Sequence, residues 1–297
     1  MIGGIRLAQR LEALGHYIFY TVIILSGQPG AYILLALVIF SYTLFSRNIH
    51  RKTDYYLSRR FPDKSWVRRR LDTFRLVYSF GKVLVDRAWL GLRKKAALEG
   101  NFPDQSLLLR TIEEGKGVIL LTAHVGNWQT ALANLTELPV AVHSLMEYDQ
   151  EAVAKHYFDL KDGQRPFRII ASDGFLGGMI ESTAALQRGE IVTIMGDRYA
   201  GGPEVEVDFL GSPVRLPATP YQLAASTSAP IVVLFAAKEG QKKYSLKIWD
   251  IFRPEAVNRQ NREREITKWG QRFASSLENY LAQHPYQWYN FSDFWKQ

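Results

Sequence analysis

The chain has 297 residues, 47% apolar and 22% charged, with 22 Gly and 12 Pro, a balance that excludes a disordered tail, a collagenous repeat and a disulfide miniprotein. It contains no Cys, which removes thiol nucleophiles, thiolate metal sites and disulfides together while leaving the redox compartment open. A formal charge of +8 favours anionic partners, and the basicity is local: Arg47 to Lys95 hold fifteen Lys or Arg against four Asp.

Taken from the N-terminus, Ala13 to Ser46 is a run of 34 residues without a single Asp, Glu, Lys or Arg. That exceeds the roughly 20 apolar residues that cross a bilayer once. Gly27-Gln28-Pro29-Gly30 interrupts it, leaving arms Tyr17 to Ser26 and Ala31 to Phe45 that are each short for an independent span. Arg6 and Arg10 precede the run and Arg47, Arg51 and Lys52 follow it, so the positive-inside rule places both ends on the cytoplasmic side. The expectation is a membrane-associated apolar helical hairpin over residues 1–46, re-entrant or monotopic, with a single kinked span as the second reading. A signal peptide fits less well because no small-x-small cleavage site follows, and a soluble chain that buries both arms is the remaining alternative.

Residues 47–97 read as a basic helical segment. Leu71, Phe74, Tyr78 and Val85 recur at helical spacing, with Arg68-Arg69-Arg70 on the polar side. Such a face is either solvated or laid against anionic headgroups, where each basic group contributes about 1 kcal/mol. No groove-reading or RNA-binding signature accompanies it, so nucleic acid is not expected as a partner.

Residues 98–297 alternate between strands and helices. Val118 to Thr122, Val140 to Leu145, Arg168 to Ala171, Ile191 to Met195, Ile231 to Ala237 and Tyr244 to Phe252 suit strands. Gln150 to Leu160, Leu176 to Gln187, Pro217 to Thr227 and Arg262 to Ala282 suit helices. This order predicts an α/β domain with a mostly parallel central sheet flanked by helices, and a site at the carboxyl ends of the strands.

The chain lacks the Gly-x-Ser-x-Gly elbow, the phosphate-binding loop ending in Lys-Ser or Lys-Thr, and His-Glu-x-x-His, which disfavours elbow-type serine hydrolases, P-loop hydrolysis and zincins. Of the six His, His124 stands apart because it follows the strand Val118 to Thr122 and opens His124-Val-Gly-Asn-Trp-Gln129 before a helical stretch. A base there is reachable by substrate, and the N–H groups of Gly126 and Asn127 are expected to face outward as oxyanion donors. A strand-end His also serves as an ordinary hydrogen-bonding residue. Asp197 and Arg198 follow the strand Ile191 to Met195 and so emerge on the same edge, as a salt bridge or as part of a site. Glu147 and Asp149 follow another strand, and Asp173 suits a turn or cap.

The block from His124 to Gln129 resembles the first motif, His then four residues then Asp or Glu, of the glycerolipid and lipid A acyltransferase superfamily. Gly196-Asp197-Arg198, the tract Val205 to Pro217 and the segment to Pro230 resemble a second, and the likeness is greatest to the bacterial late acyltransferases of lipid A synthesis. The resemblance runs from about Asp72 to the C-terminus. It implies a membrane-associated acyltransferase on the cytoplasmic face of a bacterial inner membrane. It further implies an acyl thioester donor, on acyl carrier protein or coenzyme A, and a hydroxyl of a lipid or glycolipid as acceptor. No metal or organic cofactor is implied. His124 is the implied general base, and Arg198 with Arg215 holds a phosphate or the thioester carbonyl. A long acyl chain needs an apolar groove, for which residues near Trp128, Phe175 and Met179 are candidates, ordinary core packing being the equal alternative.

This sequence departs from the family where its acid should stand, at Gln129. Gln can fix the imidazole tautomer but brings no charge, so His124 would be a weaker base than with Glu. Either Asp197 serves instead, or the amide suffices, or the chain is a non-catalytic lipid-binding or scaffold protein; on the amide account Gln129→Glu raises turnover. In the aromatic C-terminus, Trp288 and Tyr289 are expected to pack against the α/β core, as are Phe294 and Trp295, for which the membrane interface is the second reading.

Overall fold

A computed structural model of the chain describes residues 2–92, 98–127, 138–147, 167–172, 175–198, 202–254 and 260–296, with side chains from Leu14 onward. Helix α1 (Ile2–Phe45) takes the whole N-terminal run, and only Gly27, at φ 66° and ψ −161°, leaves helical geometry inside it. The two arms meet at a one-residue kink at Gly27. Gly reaches positive φ without steric cost, and Pro29 just beyond needs no N–H there. Leu14 to Phe45 contains an 18-residue window of mean hydropathy 2.1 and is long and apolar enough to cross a membrane. Ile18, Leu25, Ile33, Leu37 and Phe40 point outward along it.

Helices α2 (Arg47–Arg60) and α3 (Trp66–Leu92) follow. Both arms of α1 pack on α3, where Ile23, Ala31 and Leu35 meet Val85 and Trp89. At this seam Asp86 is fully buried. It accepts Gln28 Nε2 at 2.7 Å and Lys238 Nζ at 2.6 Å, and also the hydroxyls of Tyr32 and Tyr244. Gln28 and Tyr32 belong to α1, so the one carboxylate ties the apolar helix to the α/β core.

The rest of the described chain is β1 (Glu99–Asn101), α4 (Gln105–Glu113), β2 (Val118–Thr122), β3 (Val142–Met146), β4 (Arg168–Ala171), α5 (Met179–Gln187), β5 (Ile191–Met195), β6 (Glu204–Phe209), β7 (Ser212–Pro217), α6 (Thr219–Thr227), β8 (Ile231–Lys238), β9 (Lys243–Phe252) and α7 (Arg262–Gln283). The seven-stranded sheet has the order β1-β9-β8-β2-β5-β3-β4. From β8 through β4 all neighbours are parallel, and β9 runs antiparallel to β8. The strands β2, β5 and β8 are buried on both faces, hence their unbroken apolar runs. Ile119 and Leu121 join one core with α6 and α7, while Val118 and Leu120 join the other with Leu108 and Ile112 of α4.

Two helix starts differ from expectation. Leu176, Gly177 and Gly178 all have positive φ, which delays α5 to Met179. Pro217 pairs with Glu204 as the end of β7, so α6 begins at Thr219. The expected helix over 150–160 lies outside the described residues.

Candidate active site

Neighbouring parallel strands β2 and β5 pair Thr122 with Met195, so the residues two beyond each end, His124 and Asp197, emerge side by side. Gly196 N–H donates to Thr122 O at 2.8 Å and closes the two strand ends together. The His124 ring nitrogen Nδ1 lies 2.8 Å from Asp197 Oδ1, and the His124 backbone N–H donates to Oδ2 at 2.9 Å. Trp288 Nε1 donates to the same Oδ2 at 2.8 Å.

Asp197 is fully buried, whereas the His124 side chain is 22% exposed. Burial is the largest influence on the Asp197 carboxyl and pushes it up; the His124 charge and the three hydrogen bonds outweigh it and hold it below the ordinary carboxylate value. A buried carboxylate at Nδ1 keeps the imidazole proton on that nitrogen and leaves Nε2 as acceptor, the form a general base needs.

The backbone around His124 is gripped by the C-terminal segment. Val125 forms an antiparallel bridge with Trp288, Tyr289 N–H donates to His124 O at 2.9 Å, and Gly126 N–H donates to Gln287 O at 3.0 Å. Gln287 in turn clasps Lys238, accepting its N–H at 2.7 Å and donating to its carbonyl at 3.0 Å. Gly126 has φ 52°, and a Cβ there would stand 2.1 Å from Ala236 O, so this turn admits no side chain. The Gly126 N–H, expected free for an oxyanion, is thus spent on the strap. Asn127 is buried.

A cavity of about 800 Å³ runs across the carboxyl ends of the parallel strands, touching Thr122, Met146 and Met195, the last residues of β2, β3 and β5. Its size suits a ligand of ordinary dimensions. His124, Arg198 and Glu147 supply its charged wall, and Leu145, Leu176 and Met179 are among its apolar residues. Arg198 is exposed and donates Nη2 to Tyr289 O at 3.0 Å, with no ion pair among the described residues. Arg215 is not brought here; it pairs with Glu204 at 3.1 Å across the β6–β7 hairpin, about half exposed. No cluster of three His, Asp or Glu suited to a metal forms among the described residues. Trp128, Gln129, Asp149, Asp173 and the Phe175 side chain lie outside the described set.

Trp288 was expected as packing alone. It does pack, fully buried and edge-on to Tyr56 and Phe209, while its indole N–H also holds Asp197. The Pro285-Tyr-Gln-Trp288 stretch was the available signal, but no residue pattern tells which strand end it meets. Phe294 is buried against Trp288, as expected.

The profile of the bacterial lipid A biosynthesis acyltransferase family matches residues 44–297. Among curated proteins, the phosphatidylinositol mannoside acyltransferase of Mycobacterium tuberculosis is 27% identical over 129 residues, covering 43% of this chain and 40% of that protein. The protein of the same name from Mycolicibacterium smegmatis is 24% identical over 202 residues, covering 63% of this chain and 60% of that one. The chain therefore spans 40 to 60% of the length of these curated relatives.

Proposed function

For a chain that belongs to the bacterial lipid A biosynthesis acyltransferase family, we propose that the His124 cavity transfers a fatty acyl group from a thioester to a hydroxyl of a lipid or glycolipid. His124 Nε2 takes the proton of the acceptor hydroxyl as its oxygen attacks the thioester carbonyl. The tetrahedral intermediate carries its negative charge toward Arg198, whose guanidinium lines the cavity and makes no ion pair among the described residues. Collapse breaks the C–S bond, and the imidazolium returns its proton to the departing thiolate. Asp197 holds the ring in one tautomer and stabilises the imidazolium, the role the family's motif gives to an acid at the position of Gln129. Both acyl carrier protein and coenzyme A fit as donor carriers. The outward apolar face of α1 and the basic α2 and α3 suit the cytoplasmic face of a bacterial inner membrane with anionic lipids. On this reading residues 1–46 are the membrane segment, 47–97 the basic segment and 98–297 the catalytic domain.

The observation that carries the reading is a ring whose one nitrogen is fixed by a buried carboxylate while its side chain borders the cavity. A non-catalytic reading rests on Gln129, and it weakens once Asp197 supplies a carboxylate. The test uses purified full-length protein in lipid with labelled acyl thioesters on each carrier, and mass spectrometry of the lipid products. His124→Ala should cut turnover by a factor of about 10² to 10⁴, the usual contribution of general-base catalysis. Turnover retained in that variant would exclude His124 as the base.

A further inference from the structure

Beyond the cavity, a second cleft of about 280 Å³ opens between α2 and α3 where α1 ends. Arg47, Arg51, Arg69 and Arg70 line it, with Asp54 as its one carboxylate. Asp54 pairs with Arg69 Nε at 3.1 Å, and Arg51 donates to Asn48 Oδ1 at 3.1 Å. Arg70 leans over the Trp66 ring at 5.7 Å, and Arg47 has no hydrogen bond or ion pair among the described residues. Four guanidiniums thus line a cleft that holds a single carboxylate, itself engaged by Arg69 alone, so the wall carries an excess of positive charge that a bound anion would offset. Guanidinium forks match the oxygen spacing of a phosphate.

Exposed apolar side chains stand on the helix ends next in sequence to the residues that line the cleft. Leu44 and Phe45, at the end of α1, are 52% and 80% exposed, and Trp66, Val67 and Leu71, at the start of α3, are also exposed. A soluble phosphate has no use for such side chains, whereas a phospholipid places acyl chains against them. We propose that the cleft between α2 and α3 binds the phosphate of an anionic phospholipid headgroup, at a site separate from the His124 cavity. This rests on the reading of α1 as bilayer-embedded.

The site also has a mechanical consequence. Within α2, Tyr56 donates its hydroxyl to Pro285 O at 2.8 Å and packs edge-on against Trp288, while Arg59 lies over Trp295 at 4.1 Å. The helix that carries the cleft is therefore fastened to the strap that holds His124, and a headgroup in the cleft fixes the catalytic domain against the bilayer plane.

Native mass spectrometry of the full chain in neutral detergent, with added phosphatidylglycerol or phosphatidylcholine, reads the lipid adducts directly. In Arg47→Gln/Arg70→Gln the phosphatidylglycerol adduct should fall about tenfold or more. The control Arg262→Gln/Arg264→Gln, an equal charge change on the exposed first turn of α7, should leave it intact. Equal losses in both variants would reduce the effect to net charge and overturn the site. So would adducts that persist in the cleft variant. Binding of inorganic phosphate as readily as the lipid, with no lipid preference, would assign the cleft to a free anion. Unchanged adducts with turnover lost only for a carrier-protein donor would assign it to that protein, again against the proposal. Flotation with phosphatidylcholine vesicles tests the embedding of α1 separately, and wild-type turnover tests the acyltransferase reading.

Discussion

Asp86 and Asp197 are both fully buried carboxylates with several donors around each, yet they belong to different kinds of structure. Asp86 is saturated by Gln28, Tyr32, Lys238 and Tyr244, and its cationic partner Lys238 is 5% exposed. None of these groups lines the cavity, so the cluster braces α1 against the core. Asp197 is held by Trp288 and by His124, whose ring is 22% exposed and borders the cavity. A buried charge marks a reactive site only when one of its partners also reaches a space where substrate can stand.

The sharpest way to separate the two is to neutralise each in turn. Asp197→Asn frees Nδ1 from its anionic acceptor and removes the charge facing the imidazolium. Turnover should drop by a factor of about 10² or more, with thermal stability lowered far less than in the Asp86 variant. Asp86→Asn strands the buried Lys238 charge, and such a change costs about 3–5 kcal/mol of stability. Its melting temperature in neutral detergent should fall by many degrees, while the protein that remains folded keeps its turnover per molecule. If the two variants exchanged phenotypes, the distinction between brace and site would collapse.

Acid should act on the carboxylates less steeply. Burial pushes the Asp72 carboxyl up, but hydrogen bonds from Lys64, Tyr286 and Arg75 and the charge of Lys64 hold it below its ordinary value, as Asp197 is held below its own. Each binds a proton more weakly folded than unfolded, so each adds stability above about pH 4 that drains as pH falls through the lower folded value. Melting curves should be flat with respect to these groups from pH 7 to 5 and shift downward below about pH 4. Asp72→Asn should soften that shift. The smallest effect concerns Gln129→Glu: with Nδ1 already engaged by Asp197, turnover near neutral pH should change by less than about threefold. A large rise would mean that the amide, not Asp197, has been serving the ring.

Three strands, Val118–Thr122, Arg168–Ala171 and Ile191–Met195, have the boundaries their apolar runs predict. Those runs are legible because a continuous apolar stretch flanked by polar or turn residues has few other places to go. The kink of α1 was visible in Gly27 and Pro29, but not that a single residue would absorb the turn. His124 was legible from its place after β2. Its carboxylate was only one of three possibilities, because composition and periodicity do not give strand order, and it is the adjacency of β2 and β5 that selects Asp197. The strap could not be read at all. Trp288 meets Asp197 from 91 positions away, and such a contact is set by tertiary packing rather than by any local pattern.

A kinetic cycle over wild type, His124→Ala, Asp197→Asn and the double variant probes the proposed pairing most directly. Residues that act as one unit are strongly non-additive, so the double variant should be no slower than His124→Ala alone, within about twofold. Losses that multiplied would show that imidazole and carboxylate work independently, and would contradict the site as built here.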